Sequence, residues 1–220
     1  MMTSEQKQLL SKISSTNVSD ALDFYNLKGA VHGILPTWEG CQKVFGSAVT
    51  VRLIAAGTTP PKFHLGQQAI SVAEEGDVIV VDNAGRKDIS CWGGVLATGA
   101  KMKGVSGVII DGFCRDIDDY VDLGFSVYSR GPVVQSARGR AVEDATNITV
   151  QFGNVQVNPG DVVIADRSGV AFIPREHLDN ILKKAEELYL KEEAMCADLR
   201  SGMSNMDVDA KYSYNTMLSK

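Results

Sequence analysis

The sequence has no long hydrophobic run. Its longest apolar stretches, such as Val78–Val81, have the length of a single β-strand, whereas a membrane-spanning helix needs about 20 apolar residues. The N-terminal stretch MMTSEQKQLLSKISS is polar and contains no apolar core of signal-peptide length. We therefore expect a cytoplasmic protein that does not interact with a membrane.

The sequence also has few cysteines, and they are widely spaced. Cys41, Cys91, Cys114 and Cys196 form no CxxC pair, which argues against a structural zinc site or a redox-active disulfide. Free thiols in a reducing compartment are the simplest interpretation. The three histidines, His32, His64 and His177, show no metal-binding spacing.

Excess positive charge is absent as well. The formal net charge is −5 and the pI is about 5.2, and the lysines and arginines are scattered along the chain, which argues against a nucleic-acid partner. The sequence contains no GxSxG elbow, no P-loop and no dinucleotide fingerprint after a strand. Serine hydrolases, P-loop nucleotidases and dinucleotide-dependent enzymes are therefore not indicated.

What is present is the composition of a folded globular protein. Of the 220 residues, 44% are hydrophobic and 22% are charged, which is typical of a chain with a packed core. No stretch has the composition of a linker. We therefore predict a single domain over residues 1–220, with residues 175–220 forming a C-terminal helical extension.

The hydrophobic pattern predicts an α/β fold. Apolar strands alternate with helical segments in the middle of the chain, which is typical of a parallel α/β layer. The predicted strands of this region are Ser47–Leu53, Asp77–Val81, Val108–Ile110 and Phe125–Tyr128. The predicted helices are Val95–Lys103 and Ile117–Leu123, and the predicted loops are 82–92 and Gly112–Arg115.

The two ends of the chain are not predicted to form the alternating strands and helices of the middle. Two short helices open it, Glu5–Ile13 and Asp20–Tyr25, the second with Ser19 as its N-cap. Short strands separated by Asn, Pro and Gly predict an antiparallel or mixed layer after residue 130; they are Ile148–Phe152, Val155–Val157, Asp161–Ala165 and Val170–Ile173. A long amphipathic helix, Arg175–Arg200, closes the fold. It would span roughly 35–40 Å, so its end is expected to reach a neighbouring subunit.

Two loops at the carboxyl ends of predicted strands carry the candidate chemistry, because ligands of parallel sheets bind at that edge. Gly93 and Gly94 precede a helix, where backbone N–H groups can receive an anion. Arg115 can hold a carboxylate through two hydrogen bonds, and Asp116 offers the oxygen ligands that Mg²⁺ prefers. The alternatives are a simple tight turn at the glycines, a surface charge at Arg115 and a helix N-cap at Asp116.

A lysine-based mechanism is a further alternative. Lys87, Lys101 and Lys103 lie near the predicted site and could suggest a Schiff-base aldolase. Lys101 and Lys103, however, fall late in a predicted helix, where cations interact favourably with the helix dipole.

The segment WGGVLATGAKMKGVSGVIIDGFCRDIDDYVDLGFSVYSRG resembles the core of the RraA-like family. The segments STNVSDALDFYNLKG and FGSAVTVRL resemble its opening, and GDVVIADRSGVAFIPREHLDNIL resembles its closing strands and helix. The resemblance thus covers nearly the whole chain. The family includes 4-hydroxy-4-methyl-2-oxoglutarate and 4-carboxy-4-hydroxy-2-oxoadipate aldolases.

The resemblance implies a swivelling β/β/α fold that assembles as a homotrimer or homohexamer. It implies a divalent-metal-dependent lyase that cleaves a 4-hydroxy-2-oxo diacid to release pyruvate, or decarboxylates oxaloacetate. The keto-acid carboxylate would lie against the backbone of Gly93, Gly94, Val95 and Leu96 and contact Arg115. Asp116 would bind Mg²⁺ or Mn²⁺.

One departure from the family pattern concerns an acidic residue. The resemblance implies an aspartate that holds a metal-bound water at the position that is Gly94 in this chain, so the sequence leaves the acid/base group unassigned, and a remote carboxylate is a candidate for its role. Asp82 and Asp88, in the predicted loop 82–92, are candidates, and the alternative for each is a solvated loop residue or a cap. The family also uses a glutamate from a neighbouring subunit, and Glu192, with Glu193 beside it, best matches that residue. Both glutamates have the alternative of an exposed helix face.

The resemblance leaves two other functions open. One is that of the regulator after which the family is named, a protein that binds and inhibits a ribonuclease. Regulators lack the complete Arg-Asp pair and the long C-terminal helix, both of which this sequence contains. The other is a related lyase that acts on a different keto acid.

Overall fold

The structure, a computed structural model, describes residues 2–58 and 63–213. The helices of this part of the chain are α1 (Ser4–Lys12), α2 (Ser15–Phe24), α3 (Gln67–Val72), α4 (Gly94–Met102), α5 (Ile117–Leu123), α6 (Leu178–Arg200) and α7 (Asn205–Tyr212). The strands are β1 (Ala30–Val31), β2 (Leu35–Pro36), β3 (Val44–Ala55), β4 (Val78–Ser90), β5 (Gly107–Cys114), β6 (Val127–Ser129), β7 (Gly131–Pro132), β8 (Ala141–Thr146), β9 (Val150–Phe152), β10 (Val155–Val157), β11 (Val162–Asp166) and β12 (Gly169–Ile173).

A single large sheet organises the fold. Its strand order is β1-β12-β11-β3-β4-β5-β6-β2, with β8 paired to β3 and β7 paired to β5. Strands β3, β4, β5 and β6 are parallel neighbours, whereas β11 pairs antiparallel with both β3 and β12. The predicted parallel layer is present, and so is the predicted antiparallel or mixed layer after residue 130.

Two hydrophobic clusters hold the helices on the sheet, and a third packs the β9–β10 hairpin against it. On one face, α3, α4 and α5 cover β3, β4 and β5. The other two clusters lie on opposite faces of strand β11, because successive side chains of a strand point to opposite faces. Val162 and Ile164 pack against α1, α2 and α6, whereas Val163 and Ala165 pack against the cluster that includes the β9–β10 hairpin.

The predicted start of the second helix is wrong. The helix begins at Ser15, and Ser14 is its N-cap. The Ser14 hydroxyl accepts a hydrogen bond from the Asn17 N–H, and the Asn17 side chain accepts one from the Ser14 N–H. This reciprocal capping box satisfies two N–H groups that lack helical partners, and it stabilises a start five residues before the predicted cap.

The predicted loop 82–92 is also wrong, because β4 continues to Ser90. The strand stays paired with β5 through two shifts of register, one between Asp82 and Arg86 and one between Arg86 and Ser90. Ala84 and Gly85 have positive φ angles there, as expected of a bulged strand. The predicted loop Gly112–Arg115 is likewise largely strand, since β5 ends at Cys114.

The sequence did not predict α3 and β8. Helix α3 has only six residues, too few to show helical periodicity. Strand β8 has the sequence AVEDAT, and it pairs antiparallel with the end of β3. Both elements lie next to the cavity described below.

The long C-terminal helix is confirmed. A 3₁₀ turn occupies Arg175–His177, and α6 follows to Arg200. Helix α7 then packs against α6, and residues 214–220 of the predicted extension lie outside the described residues. Within residues 2–58 and 63–213, no helix is both long enough and apolar enough to cross a membrane.

Candidate active site

A cavity of about 720 Å³ opens at the carboxyl edge of β4 and β5. Both strands run directly into it: β4 leads to Trp92 and Gly93, and β5 leads to Arg115 and Asp116. Parallel neighbours end at the same edge of a sheet, which is where α/β proteins bind ligands. The two predicted loops therefore meet in one cavity.

Hydrogen bonds join the two loops to each other. The carbonyl oxygen of Trp92 accepts from the Arg115 N–H at 3.0 Å, the Tyr120 hydroxyl at 3.1 Å and the Ser90 hydroxyl at 2.9 Å. The Cys91 N–H donates to the Phe113 carbonyl oxygen at 3.0 Å. Such a network fixes the arginine and aspartate relative to the glycines before any ligand binds.

The glycine pair does more than make a turn. Gly93 is the N-cap of α4 in an extended conformation, and no side chain caps this helix. A Cβ atom on Gly93 would lie 2.5 Å from Oδ2 of Asp116, so only glycine permits the carboxylate to approach so closely. The Gly94 N–H donates to that same oxygen at 3.1 Å. The amides of Val95 and Leu96 follow in the first turn of α4, where N–H groups have no acceptor within the helix.

Asp116 stands at the N-cap position of α5 but its side chain does not cap that helix. Its backbone is left-handed, with φ 59° and ψ 48°, a conformation that aspartate adopts more readily than most residues. The side chain turns instead toward α4, and 39% of it remains exposed. Nε of Arg115 lies 3.3 Å from its Oδ2, so arginine, carboxylate and helix N-terminus are in mutual contact.

A second carboxylate lies against Gly94. A Cβ atom on Gly94 would be 1.7 Å from Oδ2 of Asp119, which means that the Asp119 carboxylate fills the space where any other side chain at position 94 would begin. Asp119 belongs to the first turn of α5, three residues after Asp116. Neither Gly94 nor Asp119 is among the described residues that line the cavity, although Gly93 and Val95 on either side of Gly94 are.

Asp82 and Asp88, the candidates from the sequence, are placed elsewhere. Asp82 is buried and accepts a hydrogen bond from the Ala84 N–H at 2.9 Å, and burial raises the pKa of its carboxyl group. Asp88 pairs with Arg86 at 2.9 Å. Neither of them is among the described residues that line the cavity, whereas Asp119 is the carboxylate that lies against Gly94.

Glu192 and Glu193 lie on α6, which packs against α2 rather than against the helices that border the cavity. Oε2 of Glu192 accepts a hydrogen bond from Nδ2 of Asn17 at 2.7 Å. Within one chain, neither glutamate is brought to Arg115 and Asp116. A role for them in the site of a neighbouring subunit stays a prediction.

Thiol and lysine chemistry are not supported at this cavity. Burial raises the pKa of Cys91, which lines the cavity, and that of Cys114 behind it, so both thiols are protonated and poorly nucleophilic at neutral pH. Lys101 donates a short hydrogen bond to the Leu123 carbonyl oxygen. No lysine is found among the described residues that line the cavity.

Sequence reasoning did not assign the rest of the cavity lining. It comes from two further segments of the chain, one with Phe63, His64 and Leu65 and the other with Arg138 and Ala141. These residues are far from the Arg-Asp pair in the chain and belong to irregular segments or to the unpredicted β8. Their only signal in the sequence is a small Ser-Ala-Arg-Gly turn at 136–139.

A family model described as RraA-like, Aldolase/RraA, matches residues 15–172. The chain belongs to the RraA-like family. The match includes both loops of the cavity and ends before α6.

Individual relatives agree with this assignment. A putative 4-hydroxy-4-methyl-2-oxoglutarate aldolase of Halalkalibacterium halodurans is 32% identical over 182 residues, which cover 83% of this chain and 82% of the relative. Protein DlpA of Legionella pneumophila is 28% identical over 207 residues, or 94% of this chain. The chain spans only 34% of the length of DlpA.

A solved structure extends the likeness to the fold. An uncharacterized protein from Pseudomonas syringae superposes with a TM-score of 0.85 and 26% identity, covering 94% of this chain and 98% of that one. The RraA-like α/β fold with a long C-terminal helix, expected from the sequence, is therefore confirmed.

Proposed function

We propose that this RraA-like protein is a divalent-metal-dependent lyase that cleaves a carbon–carbon bond of a 4-hydroxy-2-oxo diacid and releases pyruvate. The observation that carries the proposal is the contact between the Arg115 guanidinium, the Asp116 carboxylate and the N-terminus of α4 at one edge of the cavity. The relatives named as putative aldolases favour this function over other uses of the fold.

The side chains at this edge fit Mg²⁺ or Mn²⁺. Mg²⁺ is commonly held by one or two carboxylates, with water and substrate oxygens completing its shell. Asp116 supplies an exposed carboxylate of this kind, and only its Oδ2 is engaged by Gly94 and Arg115. The described residues contain no cluster of three or more His, Cys, Asp or Glu side chains, so a closed protein cage is not part of the proposal.

The bound metal supplies Lewis-acid stabilisation of negative charge that develops on the substrate. The protein groups hold the substrate around that charge. Arg115 and the amides of Val95 and Leu96 bind the carboxylate of the 2-oxo acid, because a guanidinium and a helix N-terminus both favour an anion. When the bond between the third and fourth carbons breaks, the 4-hydroxyl group loses its proton to solvent and the fourth carbon becomes the carbonyl carbon of the second product. The electron pair of the broken bond is left on the pyruvate fragment, and Arg115 stabilises that increased charge until the fragment takes up a proton at its third carbon.

Asp119 is proposed as the carboxylate that replaces the family aspartate expected at Gly94. Its Oδ2 occupies the space into which a side chain at position 94 would project. A second negative charge beside Asp116 would strengthen cation binding without direct contact, in the manner of the outer-shell groups of metal sites. Decarboxylation of oxaloacetate is included in the proposal, since it leaves the same charge on the same pyruvate fragment.

The assay that tests this function is a coupled measurement of pyruvate release. With Mg²⁺ or Mn²⁺ present, we expect release from 4-hydroxy-4-methyl-2-oxoglutarate or from oxaloacetate, and we expect EDTA to abolish it. Folded, metal-supplemented protein that releases pyruvate from neither acid would overturn the proposal. The buffer with metal but without protein is the control, because oxaloacetate also decarboxylates spontaneously.

The exchange of carboxylates between positions 94 and 119 gives a second prediction. Asp119→Ala is expected to weaken Mn²⁺ binding by about 10–100-fold, the usual effect of losing an outer-shell partner. Gly94→Asp alone is expected to perturb the site, because its Cβ atom would collide with Asp119. The double variant, Gly94→Asp with Asp119→Ala, should bind Mn²⁺ more tightly than either single variant.

Titration of Mn²⁺ by electron paramagnetic resonance measures these affinities without any turnover. Asp118→Ala is the matched control, since Asp118 lies in the same turn of α5, is exposed, and does not contact either glycine. Additive losses in the double variant would show that positions 94 and 119 are independent. That result would remove Asp119 from the proposed site.

A further inference from the structure

The cavity carries more positive charge than a single carboxylate ligand requires. Two arginines, Arg115 and the exposed Arg138, are among the residues that line it, whereas Asp116 is the one acidic residue among the described residues of its lining. Arg115 contacts Asp116 at 3.3 Å. The charge of Arg138 is therefore uncompensated within the cavity, although the chain as a whole has a net charge of −5.

The backbone around Arg138 is held to the strand that leads into the glycine loop. The Ser90 N–H donates to the Gln135 carbonyl oxygen at 2.7 Å, and the Ala137 N–H donates to the Ser90 carbonyl oxygen at 3.1 Å. Ser90 is the last residue of β4 and lies three residues before Gly93. The backbone of the turn that carries Arg138 is thus held close to the strand that leads to α4.

The side chain of the nearby Arg140 binds backbone carbonyl oxygens of its own turn. The Arg140 Nη1 donates to the carbonyl oxygens of Ser136 and Arg138, at 3.3 and 3.4 Å, so it closes the turn on itself and does not line the cavity. The side chain of Arg138 makes no ion pair with any acidic residue in the described part of the chain. Of these two arginines, only Arg138 is available to a ligand.

We propose that Arg138 binds the distal carboxylate of a dicarboxylic 2-oxo acid and thereby makes the site selective for diacids. The inference rests on the proposed function, which places the first carboxylate at Arg115. The lining of the cavity also includes Leu65, Leu96 and Ala137, and apolar side chains of this kind suit the carbon skeleton of a dicarboxylic acid. A cavity of about 720 Å³ is also far larger than pyruvate alone requires, given that one water in the liquid takes roughly 30 Å³.

The expected selectivity for diacids comes from an ionic hydrogen bond to Arg138 that a monoacid cannot form. A carboxylate held by a guanidinium forms a charge-assisted hydrogen bond, which is stronger than a neutral one. A ligand with a methyl group in its place leaves Arg138 with only solvent as a partner. We therefore expect the wild-type protein to bind the diacid at least about tenfold more tightly than the matched monoacid.

The test compares 2-oxoglutarate with 2-oxopentanoate, which differ only in that a methyl group replaces the distal carboxylate. Affinities are measured by calorimetry with Mg²⁺ present. Arg138→Gln is expected to weaken 2-oxoglutarate about tenfold and to leave 2-oxopentanoate unchanged. Arg138→Lys should retain part of the preference because it keeps the charge. Arg167→Gln, in the exposed turn between β11 and β12, is the charge-matched control and should behave as wild type.

Equal binding of the two acids by the wild-type protein, or binding of neither, would overturn the role of Arg138. So would an equal loss for both acids in Arg138→Gln. Neither acid has a 4-hydroxyl group, so neither undergoes the proposed cleavage, and the result is independent of lyase activity. A protein that prefers the diacid but never releases pyruvate would count against the lyase alone.

Discussion

Replacing Asp116 with asparagine is expected to lower the affinity for Mn²⁺ by about 100-fold or more, beyond the loss typical of outer-shell groups, and to abolish metal-dependent pyruvate release. Asparagine removes the charge that a hard cation requires. It also tolerates the left-handed backbone at this position, where φ is 59°. The expected loss can therefore be assigned to the carboxylate rather than to a distorted loop.

Asp118→Asn is the control for this variant. Asp118 carries the same charge in the first turn of the same helix, so it shares any favourable interaction with the helix dipole. Both variants should consequently have similar melting temperatures, and only Asp116→Asn should lose the metal. If Asp116→Asn keeps wild-type Mn²⁺ affinity and activity while remaining folded, Asp116 is not the metal ligand.

Replacing Arg115 with glutamine is expected to reduce kcat/KM about 10²–10³-fold, which corresponds to about 2.7–4 kcal/mol at the barrier, the usual loss of one donor that stabilises developing charge. The backbone N–H of residue 115 would still donate to the Trp92 carbonyl oxygen. The loop should therefore keep its position, and the effect should come from the side chain. Arg115→Lys is expected to recover only part of the activity, because an ammonium lacks the planar pair of donors.

Steady-state kinetics divide this effect into its parts. A rise in KM alone would mean that Arg115 contributes equally to the binding of substrate and transition state, whereas a fall in kcat would mean that it acts mainly in the transition state. Arg167→Gln again serves as the charge-matched control. Unchanged kcat and KM in Arg115→Gln would exclude Arg115 from the site.

The sequence predicted the two loops because their signals are local. Glycines at a helix start and an Arg-Asp pair after a buried strand are patterns of adjacent residues, and parallel strands place such patterns at a common edge. Hydrophobic periodicity likewise predicted the central strands, α4, α5 and the long α6. Sequence alone could not show that Asp116 turns away from its own helix toward the Gly94 amide.

The polar stretch after Val81 shows where local signals fail. Its residues lack the alternation of a regular strand, and the sequence therefore predicted a loop. In the structure the stretch remains paired with β5, because the ladder absorbs the extra residues through bulges near Ala84 and Gly85. Cross-strand hydrogen bonds of this kind depend on a partner that lies more than twenty residues away in the chain, so they leave no mark on local composition.

By itself, the sequence determined the α/β class, the long C-terminal helix and the positions of Arg115 and Asp116 beside a glycine loop. Only the tertiary structure decided which carboxylate lies at Gly94 and which side chains complete the cavity. Asp119 reaches Gly94 because α5 packs beside α4, and Arg138 reaches the cavity because its turn is hydrogen-bonded to Ser90. Both contacts join segments that are distant in the chain, and such contacts are fixed by packing and by backbone hydrogen bonds rather than by any pattern within either segment.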